Sequence, residues 1–298
     1  MKLVRFGPAG RERPGVWIDR VPGTDRPGIL DVNGMAFDIH DYDRHFFAHG
    51  GPARLPALLG DAARKIVPAD GVRLGPPVAR PGKILCLGKN YAEHAREFGG
   101  PVPTTPVIFS KAGTALCGPC DPILLPPCAG RVDGEAELAL VVGRTAKHLS
   151  KEAAMACVAG YCVLNDVTDR DAQKAGLQWF YGKSFDSFCP LGPFLVTPDE
   201  VADPHALRVT SRLNGATLQD GTTADMIFRI PEILVHITAA ITLEPGDILA
   251  TGTPSGIGSA RTPPLLLKPG DILETGVEGL GMQRAEVGRE ERGNEGPG

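Results

Sequence analysis

No apolar stretch in this sequence approaches the roughly 20 residues that a membrane-crossing helix needs. No membrane span is expected. The opening residues, Met1-Lys2-Leu3-Val4-Arg5-Phe6-Gly7, lack the apolar core of a secretory signal, so a soluble, cytoplasmic protein is the expectation. There is no long basic run, and the formal net charge is -4, which argues against nucleic acid as the main partner. Internal repeats are also missing. The seven cysteines (Cys86, Cys117, Cys120, Cys128, Cys157, Cys162 and Cys189) do not make a disulfide framework, because their number is odd and the chain is long. Reduced thiols are expected. Cys117-Gly118-Pro119-Cys120 copies a redox-active tetrapeptide, but that chemistry needs its first thiol at a helix N-terminus. The proline-rich stretch that follows, Asp121 through Pro127, cannot make that helix. Adding Cys128 gives three thiols with no fourth ligand at a zinc-like spacing.

What is present points to a strand-rich chain. The 298 residues suffice for one large domain or a domain and a half, and 42% hydrophobic content can build a core. The 38 glycines and 28 prolines are scattered between short apolar runs, the pattern of many strands joined by turns. The fold class read from this is α+β, rich in β-structure. Residues 1–76 read as a small N-terminal β-rich domain, with strands near 16–19 and 28–32 and a helix over 55–65. Gly75-Pro76-Pro77 and Arg80-Pro81-Gly82 make a stiff linker. Residues 80–287 form a second domain, and the Gly- and charge-rich residues 288–298 a disordered tail. Ser150 is a candidate N-cap for a helix over 150–158. Asn214-Gly215 joins two strands in a type I′ hairpin. Pro231 opens a helix whose stripe is Ile233, Leu234, Ile237 and Ile241, with His236 packed near it.

Three acidic residues stand out. Glu135-Ala136-Glu137 opens the apolar run Leu138 to Val142, and on a strand two residues apart means one face. Asp166 follows a second apolar segment, Gly160 to Asn165. If the segments pair, three carboxylates converge. Without a cation they would have to take up protons. Oxygen ligands of this kind suit Mg2+, Mn2+ or Ca2+; solvated edge-strand glutamates beside an unrelated aspartate are the plainer alternative.

His94 and Glu97 are three residues apart, hence on one face of a helical turn. A carboxylate beside an imidazole orients it and raises its basicity, which is how a general base for water is built. Gly99 and Gly100 follow and suit a mobile lid. The alternative is a weak surface pair. The loop Thr251-Gly252-Thr253-Pro254-Ser255-Gly256 offers hydroxyls and bare N–H groups suited to a carboxylate or phosphate, without the Lys-Ser/Thr end of a Walker loop.

Taken together, Gly88-x-Asn90-Tyr91-x-x-His94, Asp133-x-Glu135-x-Glu137-Leu138 and Asn165-Asp166-Val167-Thr168-x-Arg170-Asp171-x-Gln173 resemble the fumarylacetoacetate hydrolase family. So do Gly182-Lys183-Ser184-Phe185-Asp186, Leu191-Gly192-Pro193, Asn214-Gly215 and Thr251-Gly252-Thr253-Pro254-x-Gly256-Ile257-Gly258. The resemblance spans roughly residues 80 to 285. It implies a mixed β-sandwich roll in a homodimer, of the acylpyruvate hydrolase or 2-hydroxyhepta-2,4-diene-1,7-dioate isomerase type. Glu135, Glu137 and Asp166 match the ligands of a divalent metal, Mg2+ or Mn2+ in bacterial members. His94 and Glu97 match a water-activating dyad on a lid, and Lys183 a lysine near the substrate's oxyanion. Arg170, Gln173 and Thr253 match substrate-lining positions. No counterpart of the founding enzyme's additional aspartate ligand precedes Asn90, where Leu87, Gly88 and Lys89 stand. The implied activity is metal-dependent hydrolysis of a C–C bond in a 2,4-dioxo acid, an acylpyruvate or diketo sugar acid, through an enolate. An isomerase or decarboxylase of 2-oxo acids is the alternative. Residues 175–181, with Leu177, Trp179, Phe180 and Tyr181, fit a flat or apolar distal group on the substrate, a dimer contact or core packing.

Overall fold

The computed structural model describes residues 1–97 and 101–291. The expected hinge at Gly99-Gly100 and residues 292–298 of the expected tail lie outside the described residues. Residues Gly288 and Arg289, placed in that tail, instead close the strand Gly281–Arg289, which pairs in parallel with Ile123–Leu125.

One large mixed sheet carries the molecule. In spatial order it runs Ile66–Pro68, Gly28–Asp31, Arg13–Ile18, Lys2–Phe6, Leu195–Val196, Val158–Asn165, Ala136–Val142, Ile248–Ala250, Ile84–Gly88 and Val107–Ser110. Lys2–Phe6 pairs with Leu195–Val196, so the ladder continues across the Gly75-Pro76-Pro77 segment. One core cluster likewise joins Leu3, Val16 and Leu30 to Ala139, Val141 and Cys162. A smaller sheet, Ala216–Thr222, Arg208–Leu213, Ile272–Val277, Gly281–Arg289 and Ile123–Leu125, covers part of the structure.

The strand Ala136–Val142 is buried along its whole length, because both faces are covered. Its even-numbered side chains Ala136, Leu138, Leu140 and Val142 enter one core cluster. The odd-numbered Ala139 and Val141 enter the other. This is the period-2 alternation of a strand between two layers. The same rule puts Glu135 and Glu137 on the Ala139 face. In the neighbouring strand, Cys162 and Leu164 lie on that side and lead to Asp166. The helix Ile230–Ala240 seals the opposite face with Ile230, Ile233, Leu234 and Ile237.

Several local expectations need correction. The helix expected over 55–65 stops as Leu55–Gly60, because Asp61 turns extended and its Oδ1 accepts the Ala63 N–H at 2.7 Å, a local turn that competes with the helix. The helix capped by Ser150 is only Lys151–Ala154, followed by a single tighter turn before the strand at Val158. Ile241 is the extended C-cap of its helix and is exposed, and His236 also faces solvent. Asn214 and Gly215 both have positive φ, as the hairpin requires.

Candidate active site

Pairing of Ala136–Val142 with Val158–Asn165 sets Ala136 opposite Asn165, which brings Asp166 beside the two glutamates. Three hydrogen bonds lock this corner. The Asp166 N–H donates to the Glu135 carbonyl at 2.9 Å, the Glu135 N–H to Asn165 Oδ1 at 3.0 Å, and Asn165 Nδ2 to Thr275 Oγ1 at 3.0 Å. One carboxylate oxygen from each of Glu135, Glu137 and Asp166 lies within 4.8 Å of the others, and all three residues are buried. The expected convergence is therefore present.

Buried cations answer this charge. Lys183 Nζ donates to Glu135 Oε2 at 2.7 Å and to Asp166 Oδ2. Lys111 Nζ donates to Asp166 Oδ1 at 2.7 Å and to the Val167 carbonyl at 3.2 Å. Arg170 donates from Nε to Asp133 Oδ1 at 2.7 Å and from a terminal nitrogen to Glu135 Oε1 at 2.6 Å. Lys111 and Asp133 were not recognised as site residues from sequence. Asp133 stands within the quoted motif, but Lys111 belongs to none, and no local signal marks it. Lys183 reaches the trio because Gly182 has no side chain. A Cβ there would lie 2.4 Å from the Gln173 nitrogen, in the close approach of the helices Arg170–Ala175 and Phe180–Lys183.

The electrostatics divide the trio. Burial would raise Glu135, but Arg170, Lys183 and His94 hold it well below the usual carboxylate range. Burial, reinforced by the charges of Asp166 and Glu135, pushes Glu137 well above that range, although its Oε2 accepts the Gly252 N–H at 2.8 Å. Burial opposes the charge of Lys183, but Asp166 and Glu135 raise its pKa overall. An all-oxygen donor set with one carboxyl made reluctant to ionise by its neighbours is what a hard divalent cation would relieve. The residues present fit such an ion, and Glu135, Glu137 and Asp166 would hold it.

His94 and Glu97 lie on the short helix Ala92–Glu97. Nδ1 of His94 is 3.1 Å from Glu97 Oε2, and Nε2 is 3.9 Å from Glu135 Oε1. A carboxylate at Nδ1 favours the tautomer protonated there, which puts the basic lone pair on Nε2 at the trio. The loop expected to bind a substrate anion is occupied differently. Gly252 N–H holds Glu137, and Gly256 N–H donates to Glu97 Oε1 at 2.6 Å. Thr253 Oγ1 donates to the Ala136 carbonyl at 2.7 Å and accepts from Gln219 Nε2 at 2.7 Å. The loop's N–H groups thus position the protein's own carboxylates.

A cavity of about 280 Å3 opens beside this cluster, lined by His94, Glu135, Glu137, Arg170, Gln173, Lys183 and Thr253 among others. It gathers every expected site residue except Asp166 and Glu97, which bond to members of that lining. Trp179 also lines it, whereas Leu177, Phe180 and Tyr181 are exposed at the surface.

The family model "Fumarylacetoacetate (FAA) hydrolase C-terminal" matches residues 83–288. The chain belongs to the fumarylacetoacetate hydrolase family. It is 41% identical over 284 residues to the mitochondrial oxaloacetate tautomerase Fahd2a of Rattus norvegicus, covering 95% of this chain and 90% of that one. Its fold matches the fumarylacetoacetate hydrolase of Exiguobacterium antarcticum with a TM-score of 0.82 and 35% identity, over 97% of this chain and 100% of the other. The maleylpyruvate hydrolase of Sphingobium sp. SYK-6, solved with manganese(II) and pyruvate, matches with a TM-score of 0.78 and 30% identity, over 98% and 100%. The strand-rich architecture with its mixed sheets is that of the family, and this chain is one of its enzymes.

Proposed function

We propose that this enzyme moves a proton at the carbon next to the carbonyl of a 2-oxo acid, interconverting the keto and enol forms of an oxaloacetate-like substrate. The observation that carries this reading is His94, with its Nδ1 on Glu97 and its Nε2 at the carboxylate trio. The 41% identity to an oxaloacetate tautomerase over 95% of the chain supports it. The bound cation, Mg2+ or Mn2+, would supply Lewis-acid stabilisation of the negative charge that develops on the 2-oxo oxygen. His94 Nε2 takes the proton from C3 as that C–H bond breaks. Glu97 stabilises the imidazolium, itself held by the Gly256 N–H. The imidazolium then gives a proton to the oxygen, so that one C–H bond is exchanged for one O–H bond. Arg170 and Lys183 keep Glu135 ionised beside the base.

A second reading, hydrolysis of a C–C bond in a 2,4-dioxo acid, uses the same dyad to activate water. The likeness to the maleylpyruvate hydrolase supports it. The exposed Leu177, Phe180 and Tyr181 suit the contact of a homodimer, for which light scattering is the check.

The deciding assay follows the ultraviolet absorbance of enol-oxaloacetate with Mg2+, Mn2+ or EDTA, in parallel with acetylpyruvate. EDTA-sensitive keto–enol relaxation without pyruvate release is expected. His94→Ala should slow it by about 10²–10⁴-fold, the span of a general base. Pyruvate and acetate from acetylpyruvate would shift the assignment to hydrolysis, and pyruvate from oxaloacetate to decarboxylation. Relaxation that survives His94→Ala would remove the base from the mechanism.

A further inference from the structure

One buried amide ties the acidic trio to the loop that holds Glu97. Gln219 lies in the strand Ala216–Thr222 of the smaller sheet and is 0% exposed. Its Oε1 accepts the Ala136 N–H at 2.9 Å and the Ser211 hydroxyl at 2.9 Å. Its Nε2 donates to Thr253 Oγ1 at 2.7 Å and to the Pro254 carbonyl at 2.8 Å. The backbone partners fix which way round the amide sits, because an N–H can only donate and a carbonyl can only accept. All the hydrogen-bonding capacity of the side chain is used.

Strand pairing aims this side chain. Ser211 stands opposite Gln219 but Arg212 stands opposite Thr217, so Leu218 is the extra residue of a β-bulge. A bulge re-aims the side chains beside it. Here Leu218 enters an apolar cluster while Gln219 meets the loop. Two residues on, a Cβ at Gly221 would lie 2.5 Å from the Pro254 Cβ, so only glycine lets strand and loop approach this closely. What the two ends of the amide hold gives the contact its consequence. Ala136 separates Glu135 from Glu137. On the other side, Thr253 follows Gly252, whose N–H holds Glu137, and Pro254 stands two residues before Gly256, whose N–H holds Glu97. Thr253 Oγ1 closes the ring by donating to the Ala136 carbonyl at 2.7 Å. Gly252 and Gly256 both have positive φ, at 96° and 99°, and glycine backbone restrains itself weakly. Gln219 clamps the loop between them.

The structure assigns Gln219 as the positioning residue that holds Glu137 and Glu97 in place relative to each other. One side chain, hydrogen-bonded to neither glutamate, thereby sets a metal-holding carboxylate and the partner of the base His94. This assignment rests on the roles given to Glu137, Glu97 and His94 in the reading above. Loss of the clamp frees the Gly252 and Gly256 N–H groups to shift together, so metal binding and proton transfer weaken together.

The test compares Gln219→Met with Ser211→Ala, each checked for folding by its melting temperature in EDTA. The first removes every bond of the amide; the second removes one and leaves the loop contacts intact. In Gln219→Met, calorimetric Mg2+ affinity and kcat on enol-oxaloacetate at saturating Mg2+ should each fall by about tenfold, the low end for outer partners of metal ligands. Ser211→Ala should leave both within about twofold, as an uncoupled site does. In a Glu97→Ala background the kcat effect of Gln219→Met should shrink to about twofold, since its route is already cut. A merely structural role would give the full loss in both backgrounds. Gln219→Glu keeps the shape and the accepting oxygen but replaces the donor nitrogen. It should reproduce the losses, and it carries the test where the methionine variant fails to fold. Unchanged Mg2+ affinity or unchanged kcat in a folded Gln219 variant, or equal kcat effects in the two backgrounds, would overturn the assignment. Absence of turnover by the wild-type protein on both enol-oxaloacetate and acetylpyruvate would take down the proposed reaction instead, and the Mg2+ titrations would still decide for or against Gln219.

Discussion

Replacing Lys111 by methionine should destabilise the protein by about 3 kcal/mol when measured in EDTA, a magnitude that follows from the geometry of one buried pair. The side chains of Lys111 and Asp166 are both 0% exposed. Nζ donates to Asp166 Oδ1 at 2.7 Å and to the Val167 carbonyl at 3.2 Å. Removing one member of such a pair costs about 3–5 kcal/mol, because the other charge stays buried without its partner. The lower end applies for two reasons. Lys183 still donates to the other oxygen of Asp166, and methionine fills most of the space of the lysine stem. At about 2–4 °C per kcal/mol for large single chains, the melting temperature should fall by roughly 6–12 °C. Urea unfolding followed by fluorescence, with scanning calorimetry beside it, reads both quantities. Lys151→Ala is the control, because its pair with Glu232 at 2.9 Å is largely exposed and should barely move stability. A Lys111→Met protein within about 1 kcal/mol of wild type would refute the idea that this lysine offsets the buried charge of Asp166.

Gly256→Ala should cost about 2 kcal/mol or more, since the residue sits at φ 99° and a Cβ would lie 2.4 Å from the Leu218 carbonyl. It should also slow turnover by loosening the N–H that holds Glu97; a variant with wild-type melting and rate would contradict both. A histidine governs the pH response of one helix end. Burial lowers the pKa of His205 below its ordinary 6.5, and its Nε2 accepts the N–H of Ile230 at 3.2 Å at the start of the helix Ile230–Ala240. Between the folded value and 6.5 the unfolded chain binds the proton and the native one does not. Stability should therefore rise with pH through that window and level off above it. Melting curves between about pH 5 and 8 should show this slope reduced in His205→Asn, and an unchanged slope would exclude His205 as its source.

Parts of the site were legible because they depend on local geometry. Glu135 and Glu137 share a face through strand alternation, and His94 meets Glu97 through a helical turn, at 3.1 Å. The Asn214-Gly215 hairpin and the Ser150 cap follow from the same short-range chemistry. Other features were not legible. Nothing near Lys111 marks it as the partner of a carboxylate 55 positions away. The loop around Gly252 and Gly256 has the composition of an anion site, and it is one, but its anions are Glu137 and Glu97 of the same chain. Among four residues read together, only Trp179 reached the cavity, while Leu177, Phe180 and Tyr181 stayed outside.

By itself the sequence supplied the candidate oxygen donors Glu135, Glu137 and Asp166 and the candidate base His94, and the rule that puts chain neighbours on one face. Those are consequences of backbone period and covalent spacing, which act over a few residues. The tertiary structure alone decided which cation answers which carboxylate. It also decided that Glu137, rather than Glu135, is the carboxyl pushed upward. These outcomes depend on strand register and on the distances between buried charges from distant parts of the chain. In a low-dielectric interior those distances set the energies.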